Sequence, residues 1–256
     1  MTPLAVALSG VIGLPIGSFL SVVVHRVPEG ASIVTPASRC PSCGQPIRTF
    51  DNIPVLSYVL RRGRCRSCRA RIPLRYPLLE IMTAGLFCAI AARVGSLWAL
   101  PAYCVLAASL VALSVIDLER MRLPSSIIYT TALVGAPLLV LGAAGTHSWS
   151  SLVQAALAGI GAFAMFLLLF FVVPGGIGFG DVRLAAVCGT FLGWLGLRIA
   201  LTGFLASFVI GGIVGLAVLA SRRGGRKSRI PFGPFLAAGT ILAVLFGADI
   251  ARIWLG

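Results

Sequence analysis

The sequence predicts an all-α fold, a polytopic membrane bundle of about eight transmembrane helices with a cytoplasmic zinc-binding loop. Composition is the first reason, because 58% of the 256 residues are hydrophobic and only 11% are charged, whereas soluble domains contain about 25% charged residues. The second reason is that the apolar residues are gathered in long uncharged runs. The third is a pair of C-x-x-C motifs in the longest polar loop.

The first uncharged run covers residues 4–24, which at about 1.5 Å per helical residue can cross a hydrocarbon core of ~30 Å. No basic segment precedes this run and no small-residue cleavage site ends it, so we expect a retained span and not a signal peptide. Seven further spans are predicted, at residues 77–92, 96–116, 124–144, 149–173, 182–198, 199–220 and 232–255.

The net charge of +14 is distributed according to the predicted order of membrane spans. The connections 25–76, 117–123, 174–183 and 221–231 hold 18 of the 21 Lys and Arg residues, and eight spans bring all four connections to one face. The positive-inside rule makes that face the cytoplasm and leaves both termini outside. We therefore expect the basic residues to contact anionic membrane lipid, and we expect no nucleic acid partner.

Proline and glycine mark where the helices are interrupted. Pro124, Pro174 and Pro231 stand just before apolar runs, where a missing N–H is tolerated at a helix start. Residues 174–180 are too rich in glycine to continue a helix cheaply. We expect the backbone to open there and to become helical again after Asp181.

Four cysteines form two short motifs, Cys40-Pro-Ser-Cys43 and Cys65-Arg-Ser-Cys68. Each turn can direct two thiolates at one ion, so the pattern predicts a tetrahedral zinc site formed by Cys40, Cys43, Cys65 and Cys68. Closed four-cysteine sites are structural. The reducing cytoplasm favours metal binding over disulfides. The alternative is a set of unmetallated or redox-active thiols.

Two carboxylates stand at the ends of apolar runs, Asp117 directly after one and Asp181 directly before another. The threading brings both to the same face. A carboxylate beside hydrocarbon is costly and indicates a functional site. Two such carboxylates brought together share a proton, so one can act as a base toward water and the other as an acid. This chemistry is that of an aspartic peptidase.

The alternative for these aspartates is that each ends a helix or pairs with a nearby arginine, such as Arg120 or Arg183. The glycines before Asp181 favour the enzymatic interpretation. We predict that Gly178 and Gly180 form a substrate loop, because a glycine backbone can lie against a peptide without Cβ clashes.

Several further segments, in this order along the chain, resemble the type IV prepilin peptidase family together with the motifs above. They are Gly17-Ser18-Phe19-Leu20, His25-Arg26-Val27-Pro28, Asp51-Asn52-Ile53-Pro54, Arg75-Tyr76-Pro77-Leu78-Leu79-Glu80, Leu123-Pro124, Gly178-Phe179-Gly180-Asp181 and Ile230-Pro231-Phe232-Gly233-Pro234-Phe235. The G-x-G-D segment is also similar to that of presenilin-type proteases, but the other motifs favour the prepilin branch.

The resemblance implies a bifunctional enzyme of the bacterial plasma membrane. Such an enzyme cleaves the basic leader from prepilins or pseudopilins on the cytoplasmic side and then methylates the new amino terminus with S-adenosylmethionine. Asp117 and Asp181 match the catalytic pair. Residues 1–76 would be the methyltransferase-associated region and residues 77–256 the peptidase domain.

Glu80 is our candidate for cofactor binding in methyl transfer, and an interfacial partner of Arg75 is its alternative. Three positions depart from the common family pattern: Ser21 replaces asparagine, Ser125 replaces aspartate and Arg183 replaces lysine. None of them is a proposed catalytic residue.

Two other classes of function remain open. In a small transporter the aspartates would bind cations near a broken helix, at the membrane midplane. In a zinc-loop scaffold the chain would assemble secretion components without catalysis. The sequence identifies neither the prepilin nor the oligomeric state.

Overall fold

We describe the chain from a computed structural model, which places residues 1–173, 175–221 and 230–254. The predicted helix start at Pro174 and most of the basic connection 221–231 lie outside these residues. The described part of the chain is helical and contains no β-strand, only the isolated bridges Arg39–Pro46 and Arg64–Arg71.

Nine α-helices make up the described fold. They are α1 (Pro3–Arg26), α2 (Leu56–Leu60), α3 (Arg75–Val94), α4 (Leu100–Arg120), α5 (Ser125–Thr146), α6 (Trp149–Val172), α7 (Phe179–Leu195), α8 (Leu197–Ala220) and α9 (Gly233–Trp254).

Seven of the described helices are long and apolar enough to cross a membrane, namely all except α2 and α7. The predicted all-α membrane bundle is therefore confirmed. The remaining predicted span, 182–198, corresponds to α7, which has 17 residues. This length is at the lower limit of about 17–25 residues for a transmembrane helix.

The start of α7 differs from the prediction. The helix begins at Phe179, two residues before Asp181, whereas we expected it to begin after Asp181. Two reciprocal hydrogen bonds explain the earlier start: the Gly178 N–H donates to Asp181 Oδ2 at 2.9 Å, and the Asp181 N–H donates to the Gly178 carbonyl at 3.0 Å. Together they close a capped first turn.

The start of α5 follows the prediction. Pro124 is the residue before the first helical position, with extended backbone. Just upstream, Met121 ends α4 in the left-handed conformation, with φ of 51°, and its N–H donates to the Asp117 carbonyl at 2.8 Å. The connection between α4 and α5 is therefore only a few residues long and is tied to the last turn of α4.

The chain forms two compact units, one comprising Met1–Ala92 and the other beginning at Arg93. In the first unit, glycines of α1 allow close packing on α3. A Cβ built on Gly13 would lie 2.6 Å from Ala84 Cα, and one on Gly17 would lie 2.6 Å from Glu80 Cα. Small residues therefore allow the two helices to approach closely, as in many membrane proteins.

The second unit packs α4 to α9 around a buried aromatic core. The Tyr103 side chain is fully buried, and its hydroxyl donates to the Phe191 carbonyl at 2.8 Å. The Tyr103 ring meets Phe191 and Trp194 in edge-on contacts. A buried hydroxyl is stable only with such a partner, so this bond fixes α4 against α7.

Candidate active site

Asp117 lies in the last turn of α4 and is only 5% exposed. Its Oδ2 accepts a hydrogen bond from the Gly233 N–H at 3.1 Å. A Cβ built on Gly233 would lie 2.7 Å from this oxygen. Glycine is therefore the residue that allows the first turn of α9 to reach the carboxylate.

Asp181 lies in the first turn of α7 and is 7% exposed. Its Oδ2 is held by the Gly178 N–H. Its Oδ1 is buried and has no hydrogen-bond partner among the described residues. A buried carboxylate oxygen without a partner is unusual, and it is suited to accept a hydrogen bond from a reactant.

The fold brings the two aspartates together, although they are far apart in the sequence. Helices α4 and α7 are in contact. Leu123 is a neighbour both of Gly180, the residue before Asp181, and of Gly233, whose N–H binds Asp117. Neither carboxylate has an ion-pair partner among the described residues. Two buried carboxylates at short range can hold one proton between them, which allows one to act as base and the other as acid.

Arg183 does not neutralise Asp181 within the described structure. Its guanidinium donates to the Ser125 hydroxyl and lies over the Phe179 ring, at 4.5 Å, and the Tyr129 ring, at 5.6 Å. The ion-pair alternative for Asp181 and Arg183 is therefore wrong. Ser125 and Arg183, two of the positions that depart from the family pattern, contact each other.

Gly178 and Gly180 are both close to the aspartates. Gly178 caps α7, and a Cβ built on Gly180 would lie 2.9 Å from Leu123 Cβ. The absence of a side chain at Gly180 thus allows close packing on Leu123. A role of the two glycines in substrate binding stays a prediction.

Sequence reasoning assigned no role to Gly233 or Leu123. Both lie in motifs that carry the family resemblance, but a motif does not show which backbone N–H reaches which carboxylate. A Cβ built on Gly233 would also lie 3.1 Å from Leu123 Cδ2, so this leucine contacts the surroundings of both aspartates.

The four predicted cysteines come together in the first unit, as a candidate metal site. The Sγ atoms of Cys40, Cys43, Cys65 and Cys68 all lie within 4.8 Å of one another. The Cys40 and Cys68 sulfurs are 3.9 Å apart. A tetrahedral ion with bonds of ~2.3 Å to sulfur requires sulfur separations of about 3.8 Å, so the cluster fits such an ion.

The two C-x-x-C turns share one pattern of backbone hydrogen bonds. In the first, the Cys40 carbonyl accepts from the Gly44 N–H at 2.8 Å. In the second, the Cys65 carbonyl accepts from the Arg69 N–H at 3.1 Å. Gly44 and Arg69 both have left-handed backbone, with φ of 68° and 58°. The equivalent turns direct each pair of sulfurs to the same point.

The thiols of this cluster interact with one another. Backbone N–H groups of Cys68 and Ser67 lower the pKa of the Cys65 thiol to about 6. The Gln45 backbone N–H also lowers the pKa of the Cys43 thiol. Desolvation and the three neighbouring thiols outweigh this effect and raise that pKa to about 11. Cys65 thus supplies a thiolate at neutral pH, and thiolate is the form that binds metal.

Glu80 is buried in α3, with 7% exposure, and its Oε2 accepts a hydrogen bond from the Val55 N–H at 2.7 Å. Val55 has a φ of 59°, which is uncommon for a β-branched residue. The carboxylate therefore supports a strained turn at the start of α2.

Glu80 also lines a cavity of about 430 Å³ in the first unit. Its other acidic lining residue is Asp51, which forms ion pairs with Arg61 and, at 3.7 Å, Arg66. The cavity is within the range of about 300–1,000 Å³ typical of small-molecule sites. Its remaining charged lining residues are basic: Arg26, Arg39, Arg48, Arg64 and Arg71.

Comparison with known proteins gives two family matches. Residues 11–94 match the bacterial peptidase A24 N-terminal domain, and residues 104–216 match the type IV leader peptidase family. The chain belongs to the type IV leader peptidase family. A type IV leader peptidase is an enzyme, and its seven long apolar helices make this one a multi-pass membrane protein.

Three relatives of this type IV leader peptidase are named "Prepilin leader peptidase/N-methyltransferase". The protein from Aeromonas hydrophila is 37% identical over 94% of this chain and 91% of its own. The one from Burkholderia pseudomallei strain 1026b is 37% identical, over 96% and 87%. The one from Pseudomonas aeruginosa is 35% identical, over 99% and 94%. No solved structure matches the chain.

Proposed function

We propose that this enzyme removes the basic leader from prepilins or pseudopilins by an aspartic mechanism and then methylates the new amino terminus with S-adenosylmethionine. The observation that carries the peptidase assignment is that Asp117 and Asp181 are both buried, in the last turn of α4 and the first turn of α7, two helices that contact each other. The relatives' shared name supports the substrate and the second activity.

In the proposed reaction, one carboxylate is ionised and its partner carries the shared proton. The ionised group removes a proton from water as the water oxygen attacks the scissile carbonyl carbon. The protonated group donates to the carbonyl oxygen. When the tetrahedral intermediate collapses, the C–N bond breaks and the leaving nitrogen takes a proton from the protonated aspartate. The ionised aspartate takes the proton of a hydroxyl group of the intermediate as the carbonyl re-forms, which restores the shared proton. The Asp181 Oδ1, unpartnered among the described residues, is suited to hold the water.

The Gly233 N–H and the Gly178 N–H each hold one oxygen of a catalytic aspartate. Such bonds fix the orientation of each carboxylate and favour the ionised form of the oxygen that accepts them, but they bring no full counter-charge. Gly178 and Gly180 are proposed to lie along the bound peptide, in addition to their packing roles.

We place the dyad at the cytoplasmic side of the plasma membrane, with both termini outside. This topology is supported by the concentration of Lys and Arg in four connections. The position of the aspartates at helix ends also favours a peptidase over the transport alternative, because a transporter site lies near the membrane midplane.

The four-cysteine cluster is proposed to bind one structural Zn²⁺ through Cys40, Cys43, Cys65 and Cys68. The proposal rests on the donor set and on sulfur separations that suit tetrahedral coordination. Four thiolates close the coordination sphere, so the ion would stabilise the loop and take no part in cleavage.

Methyl transfer is proposed to use the cavity lined by Glu80. S-adenosylmethionine would supply an electrophilic methyl group to the new amine. The cavity is large enough for a small-molecule cofactor, and its arginines can pair with the cofactor carboxylate. We propose residues 1–76 as the region associated with methyl transfer and 77–256 as the peptidase.

Mass spectrometry of a co-expressed prepilin tests both activities, because one spectrum reports the cut and the added methyl group. We expect Asp117→Asn and Asp181→Asn to lower cleavage at least about 100-fold, the scale of lost acid–base catalysis. Asp249→Asn is the matched control, since Asp249 is half-exposed and pairs with Arg93 and Arg252. Parental cleavage by a correctly inserted dyad variant would refute the mechanism.

A further inference from the structure

The α4–α5 connection places one apolar side chain beside backbone segments next to both proposed catalytic aspartates. Leu123 is half-buried. A Cβ built on Gly180 would lie 2.9 Å from Leu123 Cβ, and one on Gly233 would lie 3.1 Å from Leu123 Cδ2. Leu123 is thus the shared neighbour of a backbone segment in α7 and one in α9.

Each of these two glycines is linked to a proposed catalytic aspartate, one by a peptide bond and the other by a hydrogen bond. Gly180 is the residue before Asp181 in the first turn of α7. Gly233 donates its N–H to Asp117. A displacement of Gly180 or Gly233 therefore moves, or releases, a reacting carboxylate. Leu123 packs against both segments, with Cβ, Cγ and Cδ1 nearest to the Gly180 position and Cδ2 nearest to the Gly233 position.

The connection that carries Leu123 is itself anchored on both sides. Towards α4, the Met121 N–H donates to the Asp117 carbonyl. Towards α7, Ser125 accepts a hydrogen bond from Arg183, whose guanidinium also lies over the Tyr129 ring. The connection on both sides of Leu123 is therefore anchored, to α4 through Met121 and to α7 through Ser125.

We infer that Leu123 is a positioning residue that sets the separation of the Asp117 and Asp181 carboxylates. The effect of Leu123 on catalysis rests on the proposed function. The effect of Leu123 on the separation of the two carboxylates does not depend on that function. Well-packed segments close only partly around a deleted side chain, so truncation shifts the turns that carry the carboxylates. A misplacement of about 1 Å can lower a rate about 100-fold.

Kinetics on the full chain in lipid nanodiscs give the first test. We expect Leu123→Ala to lower kcat for prepilin cleavage about tenfold while KM stays within about twofold, because orientation and not ground-state binding is lost. Leu123→Met conserves volume and should stay within about threefold of the parent. Leu133→Ala is the matched control, since Leu133 on α5 is 77% exposed.

Cross-linking gives a second test that needs no activity. In the Asp117→Cys/Asp181→Cys chain, a short and a long bifunctional thiol reagent are compared, and mass spectrometry identifies the 117–181 link among all cysteine peptides. We expect Leu123→Ala to change the ratio of short to long links, and Leu133→Ala to leave it unchanged.

The outcomes separate the two proposals. Unchanged kcat and cross-link ratio in a folded Leu123→Ala chain would overturn the positioning role. A raised KM with an unchanged ratio would also overturn it, because Leu123 would then be a substrate contact. A parent chain that cleaves no prepilin would refute the proposed function, and the cross-link ratio alone would then decide the spacing role.

Discussion

The Gly233 N–H donates to Asp117 Oδ2 at 3.1 Å across 116 positions of sequence. This bond joins the first turn of α9 to the last turn of α4. It fixes one oxygen of Asp117 and brings no positive charge to the carboxylate. In the proposed pair, Asp117 is therefore the carboxylate whose orientation is fixed by α9.

Replacement of Gly233 by alanine should inactivate the peptidase. The added methyl group would lie 2.7 Å from Asp117 Oδ2, so the carboxylate has to move. We expect kcat to fall about 100-fold, as expected for a misplaced catalytic group. The measurement is cleavage of a purified prepilin at saturating concentration.

Gly212→Ala is the control for that change, because a Cβ at Gly212 on α8 meets no atom within 4 Å. Equal activity of the Gly233→Ala and Gly212→Ala chains would contradict the role of the Gly233 bond.

Loss of one zinc ligand should remove the metal without removing the dyad. We expect about one zinc per parent chain by elemental analysis, and none after Cys68→Ser, because a closed site needs all four thiolates. The loop 36–74 should then be cut faster by an added protease. Cys104→Ser, at a half-buried position near the start of α4, should keep its zinc. Retention of zinc by Cys68→Ser would contradict the proposed ligand set.

Glu80→Gln should separate the two activities. The amide oxygen can still accept the Val55 N–H bond, so the turn is kept and the negative charge is lost. We expect N-methylation to fall at least about tenfold and cleavage to stay within about twofold. Both are measured on one prepilin sample by mass spectrometry. Undiminished methylation would exclude a role for the Glu80 charge.

Gly17→Ala should destabilise the packing of α1 on α3. A Cβ at Gly17 would lie 2.6 Å from Glu80 Cα and 2.8 Å from the Leu79 carbonyl oxygen. Overpacking of this kind costs about 1–3 kcal/mol, so the thermal unfolding midpoint in detergent should fall. Gly85→Ala on α3, where a Cβ meets nothing within 4 Å, is the control. An unchanged midpoint for Gly17→Ala would show that α1 is free to shift.

Local sequence patterns predicted the helices well because each span depends on its own residues. A long uncharged run must form a helix in lipid, since its backbone polar groups have no water to bind. The bounds of α4, which runs from Leu100 to Arg120 and not over 96–116, and the start of α7 were exceptions. At the start of α7 a side chain three residues into the helix, Asp181, caps the turn through the Gly178 N–H, and glycine content alone does not show this bond.

The sequence by itself determined that this is a helical membrane protein, which residues can bind zinc and which two aspartates stand at span ends. These features depend on composition and short spacing. Only the tertiary structure decided that Gly233 holds Asp117, that Arg183 binds Ser125 and not Asp181, and that Leu123 lies close to both Gly180 and Gly233. The physical reason is that these contacts join helices far apart in the chain, and helix packing in three dimensions alone selects which backbone groups meet.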